Sequence, residues 1–127
     1  AMGATNTLKV GVVGHKVIEA HSRNTSAPDV TARTLIISTN DNLDLKFKKG
    51  MVMVTADNSA ELVPYVKQSA ALIVGSAKND DFNVLIDAAK SAELPVIYTE
   101  KNVEEVIPDN LLVKVDSGKG IVYNCNN

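Results

Sequence analysis

Residues 50–75 read GMVMVTADNSAELVPYVKQSAALIVG, and this stretch decides the fold class. Met51–Thr55 is an apolar run of the kind that forms a buried strand. Asn58 and Glu61 stand three residues apart, which predicts a capping box at the start of a helix. Because Ala71–Val74 is a second apolar run, the stretch predicts a strand, a helix and a strand.

The same alternation continues towards the carboxyl terminus. Asp80 or Asp81 is expected to cap a helix over Phe82–Ala92, and Pro95–Tyr98 follows as a strand. The expected apolar stripe of this helix consists of Val84, Leu85, Ala88 and Ala89. Strands joined by helices in this order predict a parallel sheet with right-handed crossovers.

Strands of a different kind are predicted outside this central unit. Leu111–Val115 and Gly120–Tyr123 flank a polar turn, which predicts a β-hairpin. Leu8–Val13 and Thr34–Ser38 are predicted strands that precede the central unit. Since a hairpin adds antiparallel pairing, we expect an α/β fold with a mixed, mainly parallel sheet flanked by helices.

The connecting segments carry weaker signals. Asn24–Asp29 has turn composition, and Val103–Val106 fits one helical turn. Leu43–Phe47 fits either a strand or a short connection, and residues 124–127 are expected to fray.

The composition favours one globular domain with an aliphatic core. The 127 residues are 45% hydrophobic, 22% charged and only 4% aromatic, with no Trp. The net charge is −2 with both signs interspersed, which disfavours nucleic-acid binding. No apolar run approaches the roughly 20 residues that a membrane span needs.

The ends of the sequence suggest a piece of a longer cytoplasmic protein. Residues 1–7 are expected to be a cloning scar and linker, and residues 8–127 a single domain. Cys125 is the single cysteine, so no internal disulfide can form, which fits a reducing compartment.

Catalytic and metal-binding patterns are weak throughout. Nucleophilic catalysis needs an activated side chain beside a base, but His15 and His21 lie far from Cys125 in sequence. One cysteine and two histidines do not suggest a zinc site. Asp80 and Asp81 form the best carboxylate pair, although capping explains adjacent acids at a helix start more simply.

The strongest anion-binding candidate is the loop Gly75–Lys78. It follows a predicted strand and precedes a helix, where backbone N–H groups and the ammonium of Lys78 could meet a phosphate. The candidate residues are Gly75, Ser76 and Lys78. A plain connecting loop is the simpler interpretation.

From Gly50 to Tyr123 the order of signals resembles the mobile phosphohistidine domains of phosphoenolpyruvate-utilising enzymes, such as pyruvate phosphate dikinase. The matching segments are Gly50–Thr55, Val63–Pro64, Ser69–Ile73, Leu94–Ile97 and Val115–Tyr123. Thr5–Val10 is similar to the junction before the extra C-terminal domain of bacterial pyruvate kinases. The resemblance implies a swivelling β/β/α domain.

The resemblance fails at the phosphorylated residue. Active members carry a Gly-Gly-x-Thr-Ser-His-Ala signature, whereas the His position aligns with Val84 here. An isopropyl group has no nucleophilic nitrogen, and Asp80 and Asp81 would repel a phosphoryl donor. We therefore expect no carrier chemistry and no cofactor in this domain.

The resemblance implies a non-catalytic accessory domain of a glycolytic pyruvate kinase. Its partners would be the parent's catalytic and allosteric domains, in a homo-oligomer, with neither nucleic acid nor membrane. The domain would mediate contacts between or within subunits and tune the parent enzyme. The parent would transfer phosphate from phosphoenolpyruvate to ADP with magnesium and potassium. The alternative is a stand-alone swivelling domain that binds a small anion near Gly75–Lys78; an active phosphohistidine carrier is a third hypothesis.

Overall fold

A computed structural model describes residues 14–78 and 80–125 of the chain. The strands are β1 (Lys16–Glu19), β2 (His21–Ser22), β3 (Val30–Ile36), β4 (Val52–Thr55), β5 (Ala71–Gly75), β6 (Val96–Thr99), β7 (Leu112–Asp116) and β8 (Ile121–Asn124). The helices are α1 (Leu43–Lys46), α2 (Val63–Val66), α3 (Asn83–Ser91) and α4 (Val103–Val106), with a 3-10 turn at Ala60–Leu62. The predicted strand Leu8–Val13 lies outside the described residues.

The eight strands form one sheet in the order β1-β8-β7-β3-β4-β5-β6-β2. Strands β3 to β6 pair in parallel, as the alternation of strands and helices predicts. The other four pairings are antiparallel. The prediction of a mixed α/β sheet is confirmed, but "mainly parallel" is wrong, because β1 and β2 add antiparallel partners that no clear sequence pattern marks.

Residues 16–22 close the sheet on itself. They form β1 and β2, which are separated only by Ala20, and they pair with β8 on one side and β6 on the other. The Ala20 N–H donates to the Gly120 carbonyl at 2.9 Å. Gly120 has φ +73°, and a Cβ there would lie 2.7 Å from the Ala20 carbonyl oxygen. A glycine at this turn therefore lets the closing strand approach the β7–β8 hairpin.

Two apolar clusters divide the molecule into layers. One packs α2 and α3 on the parallel strands and includes Met53, Leu72, Val74, Leu85 and Ile86. The other lies between the parallel strands and the antiparallel strands, and it includes Val54, Ile73, Ile97, Val115 and Val122. The antiparallel strands, the parallel strands, and helices α2 and α3 thus form three stacked layers in that order. Both clusters are almost entirely aliphatic, as the composition predicts.

The first predicted helix is interrupted. The Ser59 hydroxyl, rather than Asn58, accepts the Glu61 N–H, at 3.2 Å. Asn58 instead donates to the Asp81 carbonyl at 3.0 Å. Pro64 lacks the N–H that would continue one helix, so the segment divides into a 3-10 turn and the short α2. The capping-box prediction is therefore wrong.

The predictions for short segments of the chain are confirmed in some cases and wrong in others. The segment Leu43–Phe47 is not a strand but part of the connection between β3 and β4, where the Asn42 side chain caps the single helical turn α1. Val103–Val106 is one helical turn, as predicted. Asn124 belongs to β8 and the Cys125 N–H donates to the Leu112 carbonyl at 2.8 Å, so these two residues are not frayed. Within the described residues no helix has the length and apolar character to cross a membrane.

Candidate functional site

Three neighbouring parallel strands end in the same local motif. The side-chain hydroxyls of Thr55, Ser76 and Thr99 each accept the N–H two residues further on, at 3.0, 3.1 and 3.2 Å. All three side chains are buried. The carboxyl ends of β4, β5 and β6 therefore form one edge, where the loops after these strands lie side by side.

Gly75 packs two of these strand ends tightly together. It pairs with Thr99 in the parallel ladder between β5 and β6. A Cβ at Gly75 would lie 2.4 Å from the Thr99 carbonyl oxygen and 2.7 Å from that of Lys101. The backbone after β6 fills the space that a side chain would need, so the glycine has a packing role at this point.

In the loop Gly75–Lys78, the predicted anion site, one backbone N–H already has a hydrogen-bond partner within the loop. The Lys78 N–H donates to the Ser76 hydroxyl, and Ser76 is 5% exposed. The Lys78 side chain is exposed and forms no ion pair with another described residue. Asp80 and Asp81 follow in the same connection. Anion binding at Gly75, Ser76 and Lys78 stays a prediction.

Asp57 joins the loops that follow β3 and β4. Its carboxylate accepts the Thr39 N–H at 2.9 Å, the Thr39 hydroxyl, and the Ser59 N–H at 3.0 Å. Partial burial, the largest single influence, raises the pKa of Asp57, but these three hydrogen bonds together hold it below its ordinary value. The group is therefore a structural carboxylate that stays ionised and fixes two loops at this edge.

The helix that would carry a phosphorylated histidine starts beside the same edge. The Asp81 carboxylate accepts the Asn83 N–H at 2.8 Å, but the N-cap residue of α3 is Phe82, which forms no side-chain cap, so Asp81 satisfies an N–H at the helix start without being the N-cap. Val84 is the second residue of α3 and is 45% exposed. Its place in the predicted apolar stripe is wrong, because about 100° of rotation per residue turns it away from Leu85 and Ala89. Ile86 is buried instead.

His21 lies on β2, two strands from the end of β5, and His15 directly precedes β1. His21 pairs with Tyr98 at the β2–β6 ladder, and the two rings stack at 6.4 Å. The Tyr98 ring in turn contacts Phe82, at 6.3 Å and edge to face. His15 is exposed, and its carbonyl accepts the Asn124 N–H at 2.8 Å. No described contact joins either imidazole to residues 75–78.

The cysteine and the acidic pair Asp80–Asp81 belong to no cluster of three metal-ligating side chains in the described part of the chain. No group of three or more His, Cys, Asp or Glu side chains converges there. Cys125 is a half-buried free thiol next to the end of β8. The Asp80–Asp81 pair precedes α3 without a third ligand.

The contact between Thr39 and Asp57 is the feature that sequence reasoning missed. A polar residue shortly after a buried strand is a usable signal, and Asp57 stands two residues after Thr55, the last residue of β4. Its partner Thr39 is 18 residues earlier. Only the parallel pairing of β3 with β4 brings the two loops together, so the partner could not be chosen before the strand order was known.

Comparison with known proteins finds similarity to phosphoenolpyruvate synthases and to pyruvate kinases. It is 25% identical over 99 residues to the phosphoenolpyruvate synthase of Aeropyrum pernix, which covers 77% of this chain and 12% of that enzyme. A chain of holo-form aconitase X from Thermococcus kodakaraensis shares the fold, with a TM-score of 0.54 and 15% identity over 90% of this chain and 97% of that chain. No family model matches the sequence.

Pyruvate kinases match over almost the whole chain. The pyruvate kinase of Staphylococcus haemolyticus is 26% identical over 121 residues, which are 95% of this chain and 20% of that enzyme. The chain thus spans about one fifth of the pyruvate kinases it matches, in their C-terminal region. The resemblance to the extra C-terminal domain of bacterial pyruvate kinases is confirmed.

Proposed function

We propose that this chain is a non-catalytic accessory domain of a pyruvate-kinase-type parent enzyme. The observation that carries the proposal is the extent of the similarity, which covers 95% of the chain and only 20% of the relative. Phosphate transfer from phosphoenolpyruvate to ADP, with magnesium and potassium, would belong to parent domains outside these residues. The domain would mediate contacts between or within subunits and tune the parent's activity.

The absence of a phosphate acceptor at the start of α3 supports this role. By the resemblance, the family's histidine would align with Val84, which lies on the exposed side of the first turn of α3. A phosphoryl donor could reach this position but would find no nitrogen or oxygen nucleophile on the side chain. Asp81 already accepts the first free N–H of the helix, and its charge opposes a second anion there.

The layered architecture supports a swivelling β/β/α arrangement. The parallel strands carry α2 and α3 on one face and antiparallel strands on the other. Such a unit has its own closed core and can therefore move as one body relative to other domains. We propose that it does so in the parent enzyme.

Phosphate labelling tests the non-catalytic part of the proposal. The chain is incubated with phosphoenolpyruvate labelled on the phosphoryl group, beside an active phosphohistidine domain as a positive control. We expect no acid-labile label on this chain, because Val84 cannot accept it. Acid-labile phosphate on His15 or His21 would contradict the proposal, and variants with asparagine at each histidine would locate it.

Gene context tests the accessory part independently. We expect the coding sequence upstream of residue 8 to encode a pyruvate-kinase catalytic domain. A gene that encodes this chain alone would refute the assignment and favour the stand-alone hypothesis. In that case, titration with phosphoenolpyruvate, AMP and sugar phosphates would test the loop Gly75–Lys78 as a small-anion site.

A further inference from the structure

Exposed charges of opposite sign collect at the two ends of the parallel strands. The residues of the basic end are Arg23, Lys48, Lys49, Lys67 and Lys90. Four of them lie in the segments leading into β4, β5 and β6, and the Arg23 N–H donates to Val96 at the start of β6. The residues of the acidic end are Asp80, Asp81, Glu100, Glu104 and Glu105, which follow β5 and β6. Because these strands run in parallel, the two groups lie at opposite ends.

The charges at both ends are largely uncompensated. The ion pairs between described residues join Lys16 to Glu19, Lys46 to Asp41 and Lys114 to Asp29, and none uses a residue of either group. At the basic end Glu93 follows α3, and Asp29 precedes β3 and is paired with Lys114, while Lys78 and Lys101 lie among the five acids. Each end therefore keeps a clear excess of one sign.

Backbone hydrogen bonds hold part of the basic end in a fixed arrangement. The Gly50 N–H donates to the Gln68 carbonyl at 3.1 Å, and the Ala70 N–H donates to the Met51 carbonyl at 2.8 Å. These bonds place the loop that carries Lys48 and Lys49 beside the one that carries Lys67. The three ammonium groups are thus presented on adjacent, ordered loops rather than on a single flexible segment.

We propose that the basic end is a docking surface for the acidic end of a second copy of this chain. Charge complementarity supports this occupant, since five exposed basic residues meet five acids of which four are exposed. The contact uses two different surfaces, so it is heterologous and leaves a free end on each partner. It deepens the proposed function, on which it rests, by naming one contact through which accessory domains of neighbouring subunits would meet.

Such a contact is expected to be weak and sensitive to salt. Exposed charges interact over about 30 Å at 0.01 M ionic strength but only about 8 Å at 0.15 M. We expect the isolated chain to associate reversibly at high protein concentration in low salt and to become monomeric as salt is added. Sedimentation velocity of the full chain, over a protein concentration series at several salt concentrations, measures both effects.

Two variants with the same net-charge change separate this contact from general charge effects. Lys48→Gln with Lys49→Gln removes two charges from the basic end and should weaken association roughly three- to tenfold. Lys78→Gln with Lys101→Gln removes two lysines from the acidic end and should strengthen association. All four side chains are exposed. Circular dichroism and thermal midpoints of both variants check that the fold is retained.

Three results would overturn the proposal. They are a monomer at all salt and protein concentrations, association that persists at high salt, and equal shifts in the two variants. A monomer in every condition would leave the proposed accessory function standing, because gene context and phosphate labelling test that function separately. A gene without a catalytic domain, together with salt-sensitive association, would refute the accessory function and keep the docking surface.

Discussion

At the scale of single residues, Gly75 gives a sharp packing test. A Cβ at Gly75 would lie 2.4 Å from the Thr99 carbonyl oxygen, and backbone at this place cannot move without disturbing β6. We expect Gly75→Ala to destabilise the fold by about 1–3 kcal/mol, the usual cost of overpacking. Gly118→Ala is the matched control, since its Cβ would meet Asp116 at an ordinary 3.7 Å. Urea denaturation that finds equal losses for the two variants would refute the packing role.

Asp57 predicts a pH dependence of stability. Its pKa is held below the ordinary value, so the folded state favours the carboxylate. The stabilisation is therefore complete above the unfolded-state pKa of about 3.9 and is lost as the pH falls through the folded-state pKa. We expect Asp57→Asn to lower the free energy of unfolding at pH 7 by about 1.5–3 kcal/mol and to flatten its decline between pH 5 and pH 2.

The control for Asp57 is Glu105→Gln, because Glu105 is exposed and its side chain forms no described hydrogen bond or ion pair. Its free energy of unfolding should follow the wild-type protein at every pH. If Asp57→Asn retained the full acid-dependent decline, another carboxylate would be responsible for it.

At the scale of elements, two adjacent apolar residues of α3 differ in burial and should therefore differ in their contribution to stability. Leu85 is fully buried and Val84 is 45% exposed, although the two are neighbours in sequence. We expect Leu85→Ala to cost about 2–5 kcal/mol. Val84→Ala should change the free energy of unfolding by less than about 0.5 kcal/mol. Thermal and urea unfolding of both variants measure this, and comparable losses would mean that Val84 packs in the core.

Strands β4, β5 and β6 were predictable because each one is a continuous apolar run, whereas β3 covers Val30–Ile36 rather than the predicted Thr34–Ser38, since its first half is partly polar. The predicted Met51–Thr55 and Ala71–Val74 differ from β4 and β5 by one residue at one end, and Pro95–Tyr98 is shifted by one residue from β6. The helix after β4 was not predictable in detail, since Pro64 and the competing caps Asn58 and Ser59 divide it. Strands β1 and β2 were missed because they are short and carry no regular alternation.

At the candidate site too, contacts between sequence neighbours were predictable and contacts between distant residues were not. The hydrogen bond between the Asn83 N–H and Asp81 depends on residues that are neighbours in sequence, and an acidic partner at this helix start was predicted. The exposure of Val84 depends on which side of α3 meets the sheet, and the contact between Asp57 and Thr39 depends on strand order. Neither could be obtained from local patterns alone.

At the scale of the whole molecule, closure of the sheet distinguishes this fold from an open α/β sheet. Residues 16–22 join β8 to β6, so the described strands leave no long unpaired edge for another chain to extend. Contacts with a parent enzyme would then have to use loops and charged ends rather than strand addition. The unpaired charges at the two ends of the parallel strands fit that requirement.

The most direct test of the central claim compares the full-length parent protein with the same protein lacking residues 8–127. Turnover of phosphoenolpyruvate and ADP is measured with magnesium and potassium, together with the oligomeric state. We predict that kcat stays within about twofold while subunit assembly or the response to effectors changes. Loss of catalysis by more than about a hundredfold in a truncated enzyme that keeps its fold and assembly would show that this domain takes part in the chemistry, and would contradict the account.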